Sequence, residues 1–139
     1  MIHFNYQVPL AALRNRTGLK RFLVLLCKME QKTIGEINFV FCSDDYLLSL
    51  NQQFLKHDTY TDIISFDDTV KGGALKGEIY ISIDRVKENA SLFGSSFVYE
   101  IHRVIFHGVL HLCGYKDKLK GDQTVMRAKE EFYLRKYFS

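Results

Sequence analysis

Two histidines and an aspartate near the C-terminus have the residue types and spacing of a metal site. His107 and His111 are four residues apart, and on a helix that separation places both imidazoles on the same face. Gly114 permits the left-handed turn that ends a helix, so that Asp117 is able to return towards the histidines. Two imidazoles and one carboxylate leave the fourth tetrahedral position of a zinc ion open, which is typical of catalytic rather than structural zinc.

The segment that carries both histidines, residues 97–112, is otherwise strongly apolar. Its periodicity predicts a helix that is buried around most of its circumference, interrupted by one narrow polar stripe. The members of the stripe follow each other at intervals of three, four and four residues: Glu100, Arg103, His107 and His111. An unpartnered buried polar group costs about 1–3 kcal/mol, so the stripe requires partners or a function. Two interpretations stay open: Glu100 and Arg103 form an ion pair, or Glu100 orients a metal ligand while Arg103 contacts an anionic substrate.

Other chemistries find less support in the sequence. Zinc peptidases with an HExxH motif use the residue after the first histidine as general base, and here that residue is Gly108, which has no side chain. Cys113 would project about 160° away from His111 on a continued helix, so we expect it to be buried and apolar rather than a ligand. Together with Cys27 and Cys42 it makes an odd number of cysteines without CxxC spacing, which is typical of reduced thiols in a cytosolic protein.

The composition is that of a globular protein. The chain has 139 residues, of which 47% are hydrophobic, 14% aromatic and 25% charged, and this balance predicts one soluble domain over residues 1–139. No apolar run approaches the roughly 18 residues of a membrane span, and no secretory signal is visible, so we expect a cytoplasmic protein without membrane contact. Basic residues dominate residues 14–32 and 116–139 around an acidic middle. That pattern suits either a phosphate-binding surface or solvated helix faces, and taken alone it favours solvated faces.

Hydrophobic periodicity predicts the element order β-α-β-α-β-β-α-α-α. The predicted strands cover residues 3–8, 34–42, 63–66 and 77–83, and the predicted helices cover residues 17–31, 44–54, 84–94, 96–112 and 121–137. Thr17 is the expected N-cap of the first helix, Ser43 or Asp44 of the second, and Ser95 or Ser96 of the fourth. Strands early and helices late predict an α+β domain, with a small mixed sheet of about four strands, about five helices and a zincin-like metal helix.

Three ordered motifs resemble the YbeY family of metal-dependent endoribonucleases. Residues 107–115, HGVLHLCGY, are similar to the family motif HGxLHLxGYDH, whose three histidines bind zinc. Residues 61–66, TDIISF, are similar to the family's TDVLSF, and residues 77–82, GEIYIS, are similar to its GDIxIS strand. Leu50 and Asn51 also match the family's LN before the TD segment. The matches stand in the family's order and spacing, so the resemblance covers nearly the whole chain.

The sequence departs from the family pattern at two places. Asp117 stands where the family has its third histidine, and Lys116 replaces the aspartate before it. A carboxylate still binds zinc through oxygen, so this change alters the expected site rather than removing it. Leu55, followed by Lys56, stands where the family has an arginine that is thought to act at the site. We hypothesise that Arg103 supplies the missing positive charge.

The resemblance implies a function in RNA processing. It implies a cytoplasmic, zinc-dependent endoribonuclease specific for single strands, with one zinc ion per chain and another divalent metal as the alternative. The implied roles are ribosomal RNA maturation at the small-subunit 3′ end and ribosome quality control. RNA and the small ribosomal subunit are the implied partners. The candidate residues are His107, His111 and Asp117 for the metal, Arg103 and Glu100 for catalysis, and Thr61, Asp62 and Ser65 for substrate binding.

Several assignments stay open from the residues alone. Glu100 and Asp62 are both candidates for a general base, although Asp62 is also expected to cap a turn with Thr61. Two other functions remain in view: a ribosome-assembly factor that binds RNA around a structural metal, and a small metallopeptidase, which Gly108 disfavours.

Overall fold

The computed structural model describes residues 1–57 and 59–139, and the predicted order of elements is confirmed there. The strands are β1 (Ile2–Tyr6), β2 (Ile34–Cys42), β3 (Ile63–Asp67) and β4 (Leu75–Ser82). The helices are α1 (Arg16–Met29), α2 (Asp44–Phe54), α3 (Ile83–Phe93), α4 (Phe97–Leu112) and α5 (Lys120–Tyr137). None of these helices, within the described ranges, is long and apolar enough to cross a membrane.

The helix caps were predicted correctly in two cases and wrongly in one. Ser43 and Ser96 cap α2 and α4 through side-chain oxygens that accept backbone N–H groups of the first turn. Helix α1 is capped by Asn15 rather than Thr17, because the Asn15 side chain accepts the Gly18 N–H at 3.1 Å. Thr17 lies inside the first turn instead, so the helix begins slightly earlier than its hydrophobic periodicity suggests.

The strands form one mixed sheet in the order β1-β2-β4-β3, which confirms the α+β prediction. Strands β1, β2 and β4 are parallel, whereas β3 runs antiparallel to β4. The connections explain this topology: helices intervene between the parallel neighbours, and only a short turn segment joins β3 to β4. Phe39 in the central β2 is paired with Phe4 on one side and Ile79 on the other. Phe39 and Ile79 are fully buried, so the middle of the sheet forms part of the core.

Helix α4 is the element that the rest of the fold surrounds. It contacts β3 and β4 of the sheet and also α1, α3 and α5. Ten of its 16 residues are buried, as the nearly continuous apolar arc of the sequence predicts. The polar stripe is therefore held at a fixed place by a rigid helix rather than by a surface loop.

Close packing of α4 against the sheet depends on Gly108. A Cβ atom at that position would lie 2.9 Å from Cγ2 of Ile79 and 3.0 Å from Cδ1 of Ile63. We expect Gly108→Ala to lower the free energy of unfolding by about 1–3 kcal/mol, because the side chains of β3 and β4 must move to admit a methyl group. Urea denaturation measures this change. Gly121→Ala in α5 is the control, because a Cβ there meets nothing within 4 Å; equal stabilities of the two variants would contradict the proposed packing.

Candidate metal centre

The two histidines of α4 and the aspartate after it meet at one point. The imidazole rings of His107 and His111 have centroids 4.5 Å apart, as expected for residues one helical turn apart. Oδ2 of Asp117 lies 3.1 Å from Nε2 of His107 and 3.2 Å from Nε2 of His111. The three side chains therefore form a group that could hold a metal ion.

The loop after α4 brings Asp117 back because the helix ends in a tight turn. Gly114 has a φ of 112°, a conformation that favours glycine. The N–H of Gly114 donates to the carbonyl oxygen of His111 at 3.0 Å, and the N–H of Tyr115 donates to that of Leu110 at 3.1 Å. These bonds reverse the chain within a few residues, so the carboxylate approaches the histidines from the end of their own helix.

The distances from the carboxylate oxygen to the two imidazole nitrogens fit a divalent cation. Ligands about 2.0–2.1 Å from a tetrahedral zinc ion are separated from each other by about 3.3 Å. The separations of 3.1 and 3.2 Å between the carboxylate oxygen and the two nitrogens are close to that value. Exposure is consistent with an accessible centre, because the side chains of His107, His111 and Asp117 are 14%, 27% and 40% exposed.

The tautomers of the histidines give a second reason for a cation. Nδ1 of His111 lies 2.8 Å from the carbonyl oxygen of Tyr115, which only accepts, so this nitrogen carries the proton. In the neutral ring, Nε2 then presents a lone pair to the Asp117 carboxylate. Nδ1 of His107 is likewise engaged in a hydrogen bond, with Oε2 of Glu130 at 2.5 Å. The Nε2 lone pairs and the Asp117 carboxylate oxygen repel each other at these distances unless a proton or a metal ion lies between them. The three atoms are therefore suited to binding a cation.

Glu130 is a site residue that the sequence reasoning missed. It lies on α5, its side chain is only 2% exposed, and it accepts hydrogen bonds from His107 and from Nη1 of Arg103 at 3.0 Å. Burial alone would raise the pKa of Glu130, but the bonds and charges of His107 and Arg103 outweigh burial and lower it. The sequence pattern that could have indicated Glu130 is its position on the apolar face of α5, four residues after the buried Met126.

Arg103 is the centre of a buried ion network. Its guanidinium donates to both carboxylate oxygens of Glu100, at 2.9 and 2.7 Å, and to Glu130. Oδ2 of Asp62 lies 3.8 Å away. Burial by itself would lower the pKa of Arg103, but the two glutamates raise it. The ion pair between Glu100 and Arg103 is therefore formed, and the carboxylate that contacts a candidate ligand is Glu130 rather than Glu100.

A cleft of about 790 Å³ opens above the candidate metal centre. Its walls bring together all residues proposed from the sequence for metal and substrate, together with Arg103, which was proposed for catalysis: Thr61, Asp62, Ser65, Arg103, His107, His111 and Asp117. Oγ of Ser65 is buried and has no hydrogen-bond partner within residues 1–57 and 59–139. Burial raises the pKa of Asp62 even though the charge of Arg103 opposes the change. Leu55 also lines this cleft, 44% exposed.

Cys113 stays outside the metal group, as the sequence predicts. It is half-buried and packs against the main apolar core. Among the described residues, the group that could hold a metal contains only His107, His111 and Asp117.

Comparison with known proteins decides the family. A family model described as "Endoribonuclease YbeY" matches residues 7–138 of the 139-residue chain. The chain belongs to the YbeY endoribonuclease family. This membership confirms the family that the sequence motifs resemble, and the three side chains described above lie within and just after the HGVLHLCGY segment.

Individual YbeY relatives match almost the full length. The chain is 49% identical to Endoribonuclease YbeY of Flavobacterium psychrophilum over 135 residues, which are 97% of this chain and 95% of the relative. It is 51% identical to that of Cytophaga hutchinsonii over 122 residues, covering 88% and 85% of the two chains. The solution structure of a Thermotoga maritima protein is similar with a TM-score of 0.72 and 29% identity, covering 99% of this chain and 89% of that one.

Removing the charge of Glu130 should weaken metal binding. Glu130→Gln keeps the size of the side chain but takes away the anionic partner of His107, and loss of such a partner costs about 10–100-fold in metal affinity. Competition with a chromophoric chelator measures the Zn²⁺ dissociation constant. Glu131→Gln, which changes an exposed neighbour on α5, is the matched control. An unchanged dissociation constant for Glu130→Gln would show that the contact with His107 does not act on the metal.

Proposed function

We propose that this protein is a zinc-dependent endoribonuclease that cleaves single-stranded RNA. His107, His111 and Asp117 hold one zinc ion per chain in this proposal. The observation that carries it is the convergence of two Nε2 atoms and one carboxylate oxygen, 3.1 and 3.2 Å apart, at the floor of an open cleft. Membership in the YbeY family supplies the class of substrate.

The residues of the cleft have distinct tasks in this proposal. A bound divalent cation supplies Lewis acidity towards the phosphoryl group. Glu130 and the carbonyl oxygen of Tyr115 keep the proton on Nδ1 of each histidine, so both Nε2 atoms would be available to bind a cation. The Asp62 carboxylate, whose pKa is raised by burial, accepts the proton of the attacking hydroxyl or water as the new P–O bond forms. The P–O bond to the leaving ribose oxygen breaks, and that oxygen takes up a proton from Asp62 or from solvent. Glu100 is less suited to that task because both of its oxygens bind Arg103.

Substrate contacts come from other residues that line the same cleft. We propose that the unpartnered hydroxyl of Ser65 donates to a phosphate or ribose oxygen, and that Thr61 lines the path of the strand. Arg103, 12% exposed and fixed by Glu100, supplies positive charge towards the developing phosphate charge. This charge stands in for the arginine that Leu55 replaces.

The cellular role follows from the family. We propose that the substrate is ribosomal RNA, that cleavage matures the small-subunit 3′ end and contributes to ribosome quality control, and that the protein acts on the small subunit in the cytoplasm. Lys116 and Lys118 flank Asp117 and are exposed, so they are placed to contact the RNA backbone. Binding is then expected to weaken as salt concentration rises.

The proposal is tested by matched assays of the metal-free and zinc-loaded protein. Single-stranded RNA, duplex RNA and a peptide library are offered to each form. We expect cleavage of the single strand alone, lost with a chelator and restored by one equivalent of Zn²⁺. RNA binding without cleavage, with zinc needed only for folding, would favour an assembly factor instead. Peptide cleavage would favour a metallopeptidase, which Gly108 disfavours because it leaves the HExxH general-base position empty.

A further inference from the structure

A second polar cluster lies behind the loop that carries Asp117. Its centre is Glu30, the residue at the C-terminal end of α1, whose side chain is 8% exposed. Glu30 accepts hydrogen bonds from the hydroxyl of Tyr115 at 2.6 Å, from Nζ of Lys129 at 3.1 Å, and from the hydroxyl of Tyr133. Helix α1, the metal loop (residues 113–117) and helix α5 are thus joined at one carboxylate.

Tyr115 connects this cluster directly to a candidate metal ligand. Its hydroxyl donates to Glu30, while its carbonyl oxygen accepts a hydrogen bond from Nδ1 of His111 at 2.8 Å. The path from Glu30 to the imidazole therefore runs through a single residue. The ring of Tyr115 also lies 5.5 Å from Nζ of Lys129, which covers its face.

Tyr115 ties the second half of the metal loop to the body of the protein. It is half-buried and packs against the main core, whereas Lys116 and Lys118 on either side of Asp117 are exposed. Cys113 at the start of the loop also packs against the core, but Tyr115 lies two residues from Asp117 and makes the hydrogen bond to Glu30. The position of Asp117 and the acceptor for His111 therefore both depend on where Glu30 holds the Tyr115 ring.

The electrostatics of the cluster favour a charged and firmly held Glu30. Burial alone would raise the pKa of Glu30, but hydrogen bonds from Tyr115, Tyr133 and Lys129 outweigh burial and lower that pKa. Hydrogen bonds to an ionised acceptor are shorter and roughly twice as strong as neutral ones. A neutral acceptor at this place would hold the Tyr115 hydroxyl less strongly, and loss of the acceptor would leave the hydroxyl without this bond.

We propose that Glu30 is a positioning residue for the metal centre. Acting through Tyr115, it keeps the proton of His111 on Nδ1 and holds Asp117 in place before the cation arrives. The inference rests on the proposed metal site, but it concerns a residue far along the chain from the YbeY histidine motif. The competing explanation is that Glu30 has only a structural role and stabilises the packing of α1 against α5.

Two tyrosine variants distinguish a positioning role of Glu30 at the metal centre from a purely structural role between α1 and α5. Tyr115→Phe and Tyr133→Phe each remove one hydroxyl bond to Glu30 and keep an aromatic ring in place, but only Tyr115 lies in the metal loop. We expect Tyr115→Phe to weaken Zn²⁺ binding about tenfold or more, and Tyr133→Phe to change it less than twofold. Glu30→Gln is expected to weaken Zn²⁺ binding less than Tyr115→Phe does, because the glutamine carbonyl oxygen still accepts from the Tyr115 hydroxyl but without the charge. Chelator competition gives the affinities, and thermal unfolding of the metal-free proteins gives the stabilities.

A second readout needs no metal. The ¹⁵N chemical shifts of His111 in the metal-free protein, recorded in alkaline solution, report which ring nitrogen carries the proton. We expect the proton on Nδ1 in the wild type and in Tyr133→Phe, and a mixture of tautomers in Tyr115→Phe. Equal tautomers in all three proteins, or equal loss of zinc affinity in both tyrosine variants, would overturn the inference. If the wild type failed to bind zinc, the proposed function would be wrong. The tautomer of His111 in the three proteins would still show whether Glu30 positions that imidazole.

Discussion

His111→Ala is expected to abolish RNA cleavage and zinc binding while the protein remains folded. The variant removes one of three proposed ligands, and loss of a ligand must cost more than the 10–100-fold that follows loss of a residue behind a ligand. The fold should persist because the His111 side chain is 27% exposed and packs at the end of α4 rather than in the core. RNA cleavage, zinc affinity and thermal unfolding are measured on the same preparation.

His3→Ala is the matched control for this prediction. It removes an imidazole from β1, 41% exposed and paired only weakly with Glu36 at 3.5 Å. We expect its cleavage rate and zinc affinity to equal those of the wild type. Cleavage that survives in His111→Ala at more than about a hundredth of the wild-type rate would mean that the metal lies elsewhere or that a contaminating nuclease cuts the RNA.

Arg103→Met is expected to lower the free energy of unfolding by about 3–5 kcal/mol. The substitution leaves the carboxylates of Glu100 and Glu130, each 2% exposed, without their guanidinium partner, and uncompensated buried charges carry a cost of this size. The stability of Arg103→Lys should lie between those of the wild type and Arg103→Met, because one ammonium group cannot reproduce the forked contact with both oxygens of Glu100. Urea denaturation of the metal-free proteins measures the differences.

A double variant identifies the source of that cost. Adding Glu100→Gln to Arg103→Met removes one stranded charge, so part of the lost stability should return. Lys56→Ala serves as the control for a basic residue near the cleft and is expected to leave stability unchanged. If Arg103→Met were as stable as the wild type and lost only RNA cleavage, Arg103 would face the substrate and not the buried network.

The candidate ligands could be predicted because they are close in sequence. His107, His111 and Asp117 fall within one helix end and its turn, where helical periodicity and the freedom of Gly114 determine the geometry. Glu130 could not be predicted in the same way. It approaches His107 only because α5 packs against α4, and the sequence alone contains no measure of which turns of two helices meet.

The fold was predictable at the level of element order but not of sheet arrangement. Periodicity and caps indicated the succession of strands and helices, because both are local properties. The order β1-β2-β4-β3 depends on pairing between distant segments. Asp62 lies just before β3 and Ser65 lies within it, so the same pairing brings both residues towards α4. Their place in the cleft was therefore expected from the family motif and not from periodicity.

The most direct measurement is the zinc content of the purified protein, determined by elemental mass spectrometry on the wild type and on Asp117→Ala. Asp68→Ala, which changes an exposed aspartate in the turn after β3, is the control. We predict one zinc ion per chain in the wild type and in the control, and a marked loss of zinc in Asp117→Ala. One tightly held zinc ion per chain in Asp117→Ala would contradict the proposed ligand set of His107, His111 and Asp117.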